Sequence, residues 1–264
     1  MWLRTSCSLT FDFEVQTVLI FMLRPRSSSQ QWVAREEYNI SPMMNVVEYA
    51  DTHGNLCQRL IAPPGALSIS TKADVKTDDF VRKDPGAQFV EIQHLPSGVL
   101  KYLLPSRYCE SDRFNQMAAS ITSHCIPGYD QVAAIESWLR ENVAYTPGSS
   151  SFPISAVEVN EQQHGVCRDL AHLGIALCRS ISIPARMVVG YLHNLTPMDM
   201  HAWFEAYLDG RWYTFDATKK DSIGGYVAVG YGKDSSEVAL YNQFGPASYP
   251  LEQKVNVEQI EFDT

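Results

Sequence analysis

The dipeptide Asp209-Gly210 constrains this chain most, because it separates two runs that carry the residues of paired strands. His201-Ala202-Trp203-Phe204-Glu205-Ala206-Tyr207-Leu208 precedes it and Arg211-Trp212-Tyr213-Thr214-Phe215-Asp216-Ala217 follows, both rich in aromatic side chains that suit a pleated surface. Asp-Gly tolerates the positive φ angles of a tight hairpin, so a two-residue loop is expected. That loop sets Asp216 opposite Trp203. Because side chains alternate between faces, His201 then shares a face with Asp216, and the two are diagonal neighbours with Cβ atoms at most about 7–8 Å apart. A three-residue loop would put them on opposite faces. The expectation is an imidazole beside a carboxylate on an antiparallel sheet.

Upstream, Gly165-Val166-Cys167 ends a polar stretch, and Leu170, Leu173 and Leu177 then recur at helical spacing. Cys167 is therefore expected at a helix N-terminus, where unpaired N–H groups and the positive end of the helix favour an anion, and so a thiolate nucleophile. A lone cysteine there is as readily a small packed apolar residue. The chain order Cys167, His201, Asp216 supplies more: a thiol, a base for it and a carboxylate to orient the base, the parts of a nucleophilic acyl-transfer site.

These segments, GVCRDLAHLGIALCRSISIPARMVVGY and MHAWFEAYLDGRWYTFDAT, resemble the catalytic core of the transglutaminase-like superfamily, in particular its bacterial transglutaminase-like cysteine protease branch. The resemblance runs from about residue 104 to about residue 246, and a weaker one covers the N-terminal third. It implies an α+β fold: a papain-like, transglutaminase-like core with the nucleophile helix packed on an antiparallel sheet, preceded by an N-terminal antiparallel β-sandwich. It implies Cys167 as nucleophile, His201 as general base and then acid, and Asp216 as orienter. Many members read Asp-Pro-Thr where this chain reads Asp216-Ala217-Thr218, with the carboxylate retained. Tyr145 stands where animal transglutaminases place a Trp that helps hold the oxyanion, and a phenol O–H is a competent donor. The activity implied is attack on a peptide or side-chain amide through a thioester acyl-enzyme, resolved by water, with neither cofactor nor metal ion. Two alternatives stay open: transfer to an amine, as in a transglutaminase, and a non-catalytic interaction module on the same fold.

Other chemistries lack their residues. There is no G-x-S-x-G, H-E-x-x-H, Walker A loop or strand-coupled G-x-G-x-x-G. His164, Cys167, His172 and Cys178 are poorly spaced for zinc, and no C-x-x-C pair occurs. His172, Cys178 and Trp138 read as packing residues, and Arg168 with Asp169 as a charge pair near the helix start.

Composition and patterning suit a two-part chain. Of 264 residues, 45% are hydrophobic, enough for one large core or two modest ones. Short alternating runs fill the N-terminal part, including an apolar stretch at 18–23 read as a buried strand; helical patterns cover 112–122 and 129–143, and strands resume from Ala185. Pro96, Gly98 and Pro105 interrupt the pattern, so the expected division is a β-sandwich at 1–104 and a catalytic domain at 105–264. Residues 1–104 carry 10 Lys+Arg against 11 Asp+Glu, and 105–264 carry 11 against 19, which disfavours a nucleic-acid partner. The stretch at 18–23 is far shorter than the ~20 residues of a membrane span, so no membrane partner is expected. Without a signal-peptide pattern or close cysteine pairing, the expected compartment is the cytoplasm, and the expected partner a peptide or protein substrate.

Overall fold

The computed structural model describes residues 1–219 and 224–261. Six strands come first: β1 (Trp2–Phe13), β2 (Thr17–Phe21), β3 (Gln31–Ser41), β4 (Val46–Ala50), β5 (Leu56–Ala62) and β6 (Gly65–Thr77). A mainly helical stretch follows, with α1 (Ser97–Leu100), α2 (Asn115–Ile121), α3 (Tyr129–Asn142), β7 (Ala144–Tyr145), α4 (Ala156–Gln162), β8 (His164–Gly165) and α5 (Cys167–Ser180). The chain ends in strands: β9 (Ala185–Leu192), β10 (His201–Leu208), β11 (Arg211–Phe215), β12 (Tyr226–Gly232), β13 (Tyr241–Phe244) and β14 (Glu252–Gln259). This is the expected α+β arrangement, with helices gathered between two sets of strands.

Two antiparallel sheets, β14-β1-β6-β3 and β13-β2-β5-β4, share an apolar core. The alternation that predicts strands supplies it. Leu3, Cys7, Leu9 and Phe11 from β1 and Leu67, Ile69 and Val75 from β6 meet Leu19 and Phe21 of β2 and Leu60 of β5. The stretch at 18–23 is the expected strand, β2, with Leu19 and Phe21 fully buried. The sandwich is not made from residues 1–104 alone. Its first strands pair with the last ones, β1 with β14 and β2 with β13, and without them would present unpaired N–H and C=O groups along their edges. A local hydrophobic pattern carries no information about pairing between opposite ends of a chain, which is why the division at 104 does not anticipate it.

The third antiparallel sheet has the order β11-β10-β9-β12. Helix α5 lies across one face, its Leu170, Leu173 and Leu177 joining Ala202, Phe204, Ala206 and Leu208 of β10 in one core. Gly174 permits the close approach: a Cβ there would meet a Phe204 ring carbon at 2.7 Å. Helix α3 adds Val132, Ile135 and Leu139 to the same core. The opposite face carries Val188, Trp203 and Ala228 in a second cluster, and Tyr191, Val227 and Val229 extend the sandwich core into this sheet.

Candidate active site

The hairpin turns through Asp209 and Gly210, with φ of 45° and 79°, the doubly positive conformation that an Asp-Gly pair provides. Phe204 pairs with Phe215, so the register is that of a two-residue loop, and Asp216, just beyond β11, falls opposite Trp203. His201 opens β10 and is almost wholly buried. Its Nε2 donates to Asp216 Oδ2 at 2.7 Å. Nδ1 is buried and meets no partner at hydrogen-bonding geometry among the described residues, while the Cys167 thiol lies near enough to act on the ring's charge. Thiol, imidazole and carboxylate therefore come together from α5, β10 and the end of β11.

Local structure fixes each member. Cys167 is the first residue of α5, so its backbone N–H has no acceptor within the helix. Asp169, with no exposed surface, accepts from the Val166 N–H at 3.1 Å and caps the helix start. Gly165 makes room for it, since a Cβ at 165 would lie 2.8 Å from Asp169 Cβ. Arg168 pairs with Asp169 at 3.1 Å and also reaches the Ser150 hydroxyl at 2.7 Å and the Phe152 carbonyl at 2.8 Å, tying the 150–152 segment to the nucleophile helix. The expected charge pair is there, with an anchoring role besides.

Asp216 accepts from four donors. Oδ2 takes His201 and the Tyr226 hydroxyl, the latter at 2.8 Å, and Oδ1 takes the Thr218 N–H at 2.9 Å and the Thr218 hydroxyl at 2.7 Å. Its own N–H donates to Glu136 Oε1 at 2.7 Å, and Arg140 holds that glutamate at 3.3 Å. Burial disfavours the charged forms of both His201 and Asp216, and their attraction overrides it. The imidazolium is raised above its ordinary range by the Asp216 charge and hydrogen bond and by Cys167. The carboxyl of Asp216 is lowered by His201 and Thr218. Glu136 shifts upward through burial.

Tyr145 lies beside the nucleophile because β7 runs parallel to β8, with Tyr145 opposite Gly165, and the Thr146 N–H donates to the Gly165 carbonyl at 2.8 Å. Its phenol is about one third exposed. Partial burial, then the charges of Cys167 and Asp216, push its pKa up to about 12, so it remains an O–H donor. His172 and Cys178 lie inside the core. Nδ1 of His172 donates to the Ile154 carbonyl at 2.9 Å and Nε2 accepts from the Ser235 hydroxyl at 2.8 Å, and burial lowers its pKa to about 4, which keeps the ring neutral. No group of His, Cys, Asp and Glu among the described residues is arranged to hold a metal ion.

Glu136, Thr218 and Tyr226 escape the sequence reading. Thr218 has a local signal, since an Asp side chain commonly accepts from the backbone N–H two residues on. Glu136 and Arg140 show helical i,i+4 spacing, but nothing in the sequence says what they hold. Tyr226 depends on where β12 packs.

Residues 115–217 match the family model of the transglutaminase-like superfamily. A crystal structure named "a Putative Cysteine Protease from Cytophaga hutchinsonii" is 32% identical, superposes with a TM-score of 0.91, and aligns over 100% of this chain and 92% of its own. An uncharacterized protein of Mycobacterium leprae is 28% identical over 233 residues, 82% of each chain. The chain belongs to the transglutaminase-like superfamily.

Proposed function

We propose that the protein is a cysteine-dependent acyl-transfer enzyme, a protease or amidase that opens peptide or side-chain amides through a thioester. The hydrogen bond of His201 to Asp216, with the Cys167 thiol near the same ring, carries this reading. In the first step the Cys167 thiol passes its proton to His201 Nδ1 and Sγ attacks the amide carbonyl, the oxyanion accepting from the Cys167 backbone N–H at the start of α5 and from the Tyr145 hydroxyl of β7. His201 Nδ1 gives its proton to the leaving amine, the C–N bond breaks and a thioester remains. A water then loses a proton to His201 and attacks the thioester. The acid departs, and the proton returns to sulfur. Asp216 keeps the Nε2 proton in place throughout, so that Nδ1 is the nitrogen that exchanges. Water as the second acceptor is favoured by the likeness to the structure named as a cysteine protease.

The test is a labelling and turnover pair. Iodoacetamide at limiting dose should modify Cys167 ahead of Cys7, Cys57, Cys109, Cys125 and Cys178, four of which are buried. Cys167→Ala should abolish hydrolysis of a generic peptide ester or amide, with ¹⁸O from labelled water appearing in the wild-type product. Uniform labelling without turnover would support an interaction module. Capture of an added amine in place of ¹⁸O would mark a transglutaminase.

A further inference from the structure

Tyr226 approaches the triad from β12, the strand beyond β9 from the His201 strand. Its hydroxyl donates to Asp216 Oδ2, the same oxygen that accepts from His201 Nε2. The ring is fixed edge-on against Trp203, with centroids 5.0 Å apart, and lies 6.4 Å from the His201 ring. Burial and the neighbouring carboxylate raise the phenol far above its ordinary value, so it stays protonated and keeps its O–H for Asp216.

The carboxylate does not need this bond to be aimed. His201 and both donors of Thr218 already hold it. What the hydroxyl adds is the positive end of an O–H dipole next to the imidazole N–H, on an oxygen it shares with that imidazole. Resting on the proposed acyl transfer, we propose that Tyr226 is a positioning residue acting through Asp216: it draws carboxylate charge away from His201 and so sets how readily His201 releases its proton to the leaving group. A buried carboxylate whose charge fell wholly on the imidazole would hold that proton too firmly, and an acid that is too weak expels a poor leaving group slowly. The other groups facing the pair are Cys167 from α5, Glu136 and Arg140 from α3, and Tyr145 from β7. Tyr226→Phe leaves all of these in place.

The experiment compares wild type with Tyr226→Phe on matched amide and activated-ester substrates across pH. The amide needs an acid for its leaving amine; the activated ester does not. Amide kcat is expected to fall about three- to tenfold, with ester kcat within about twofold and KM unchanged. The alkaline limb of the amide profile should move to higher pH. Equal losses on both substrates with unmoved limbs would reduce Tyr226 to a packing residue and overturn the proposal. Should Tyr226→Phe fail to fold, 3,5-difluorotyrosine placed at 226 makes a stronger donor and should move the alkaline limb downward; no movement overturns the proposal. If wild type neither turns over nor labels at Cys167, the acyl-transfer reading falls separately. In that case NMR titration of the His201 ring still decides: a rise in its pKa in Tyr226→Phe supports the charge-sharing role and an unchanged value refutes it.

Discussion

Asp216 shows how few residues could occupy its position. Each carboxylate oxygen accepts two donors. In Asp216→Asn the amide NH₂ must therefore face donors whichever way it turns, towards His201 and Tyr226 or towards Thr218. Turned to Thr218 it preserves the His201 tautomer, so turnover should fall by about 10–10³-fold, less than the ~10⁴ of a serine triad, because the thiolate shares in stabilising the imidazolium. The same pair makes stability depend on pH. Asp216 is lowered from its ordinary value of 3.8, so its contribution is complete above that value and is lost as pH falls through the folded value. His201 is raised from 6.5 to about 10, so its contribution is complete below 6.5 and is lost as pH rises towards 10. Urea unfolding of wild type and Asp216→Asn should thus differ most between about pH 4 and 6.5 and converge on either side; a gap independent of pH would mean that packing alone is lost. These members of the site are legible in the sequence because a two-residue hairpin loop fixes their register locally. Tyr226 and Glu136 are not, because the strand and helix that deliver them are placed by tertiary packing.

Among the elements, β12 ends its sheet beside β9, with no second strand partner there among the described residues. Two amide side chains from the N-terminal part serve in place of one. Gln31 accepts from the Ala228 N–H at 2.7 Å and donates to the Ala228 carbonyl at 2.8 Å. Asn55 does the same for Tyr231, at 2.8 and 2.7 Å. Both amides are buried, and they satisfy backbone groups that an exposed edge would leave to water or to another chain. Removing either strands a buried N–H and C=O together, so Gln31→Ala and Asn55→Ala should each cost about 1–3 kcal/mol in urea unfolding. Faster amide exchange should be centred on β12, whereas faster exchange spread evenly over the molecule would show that the amides do not hold the edge. None of this is visible locally: an Asn after a turn and a Gln opening a strand look like ordinary polar residues until the strand they bond is placed.

Over the whole molecule, strands from the C-terminal end and side chains of the active-site sheet join the core that the first six strands build. Strands β13 and β14 cover the edges of β2 and β1, Val257 of β14 joins the sandwich interior, and Tyr191, Val227 and Val229 reach it from the third sheet. The Tyr191 hydroxyl also donates to the Leu23 carbonyl at 3.3 Å. The change from alternating to helical patterning near residue 100 is real in the sequence, but it marks a change of local structure. Where a core ends is decided by contacts between distant segments, and these the patterning does not report. A fragment of residues 1–104 would bare an edge of β1 and an edge of β2, and the apolar side chains that Tyr191, Val227, Val229 and Val257 cover. It should therefore aggregate or stay unfolded, with no cooperative urea transition by circular dichroism. A chain ending at residue 240 keeps the triad and the third sheet but loses β13 and β14, so it should label at Cys167 when fresh and precipitate on warming well below the full chain. A cooperative, monomeric 1–104 fragment would show instead that the sandwich folds by itself and that the closing strands are an addition to it.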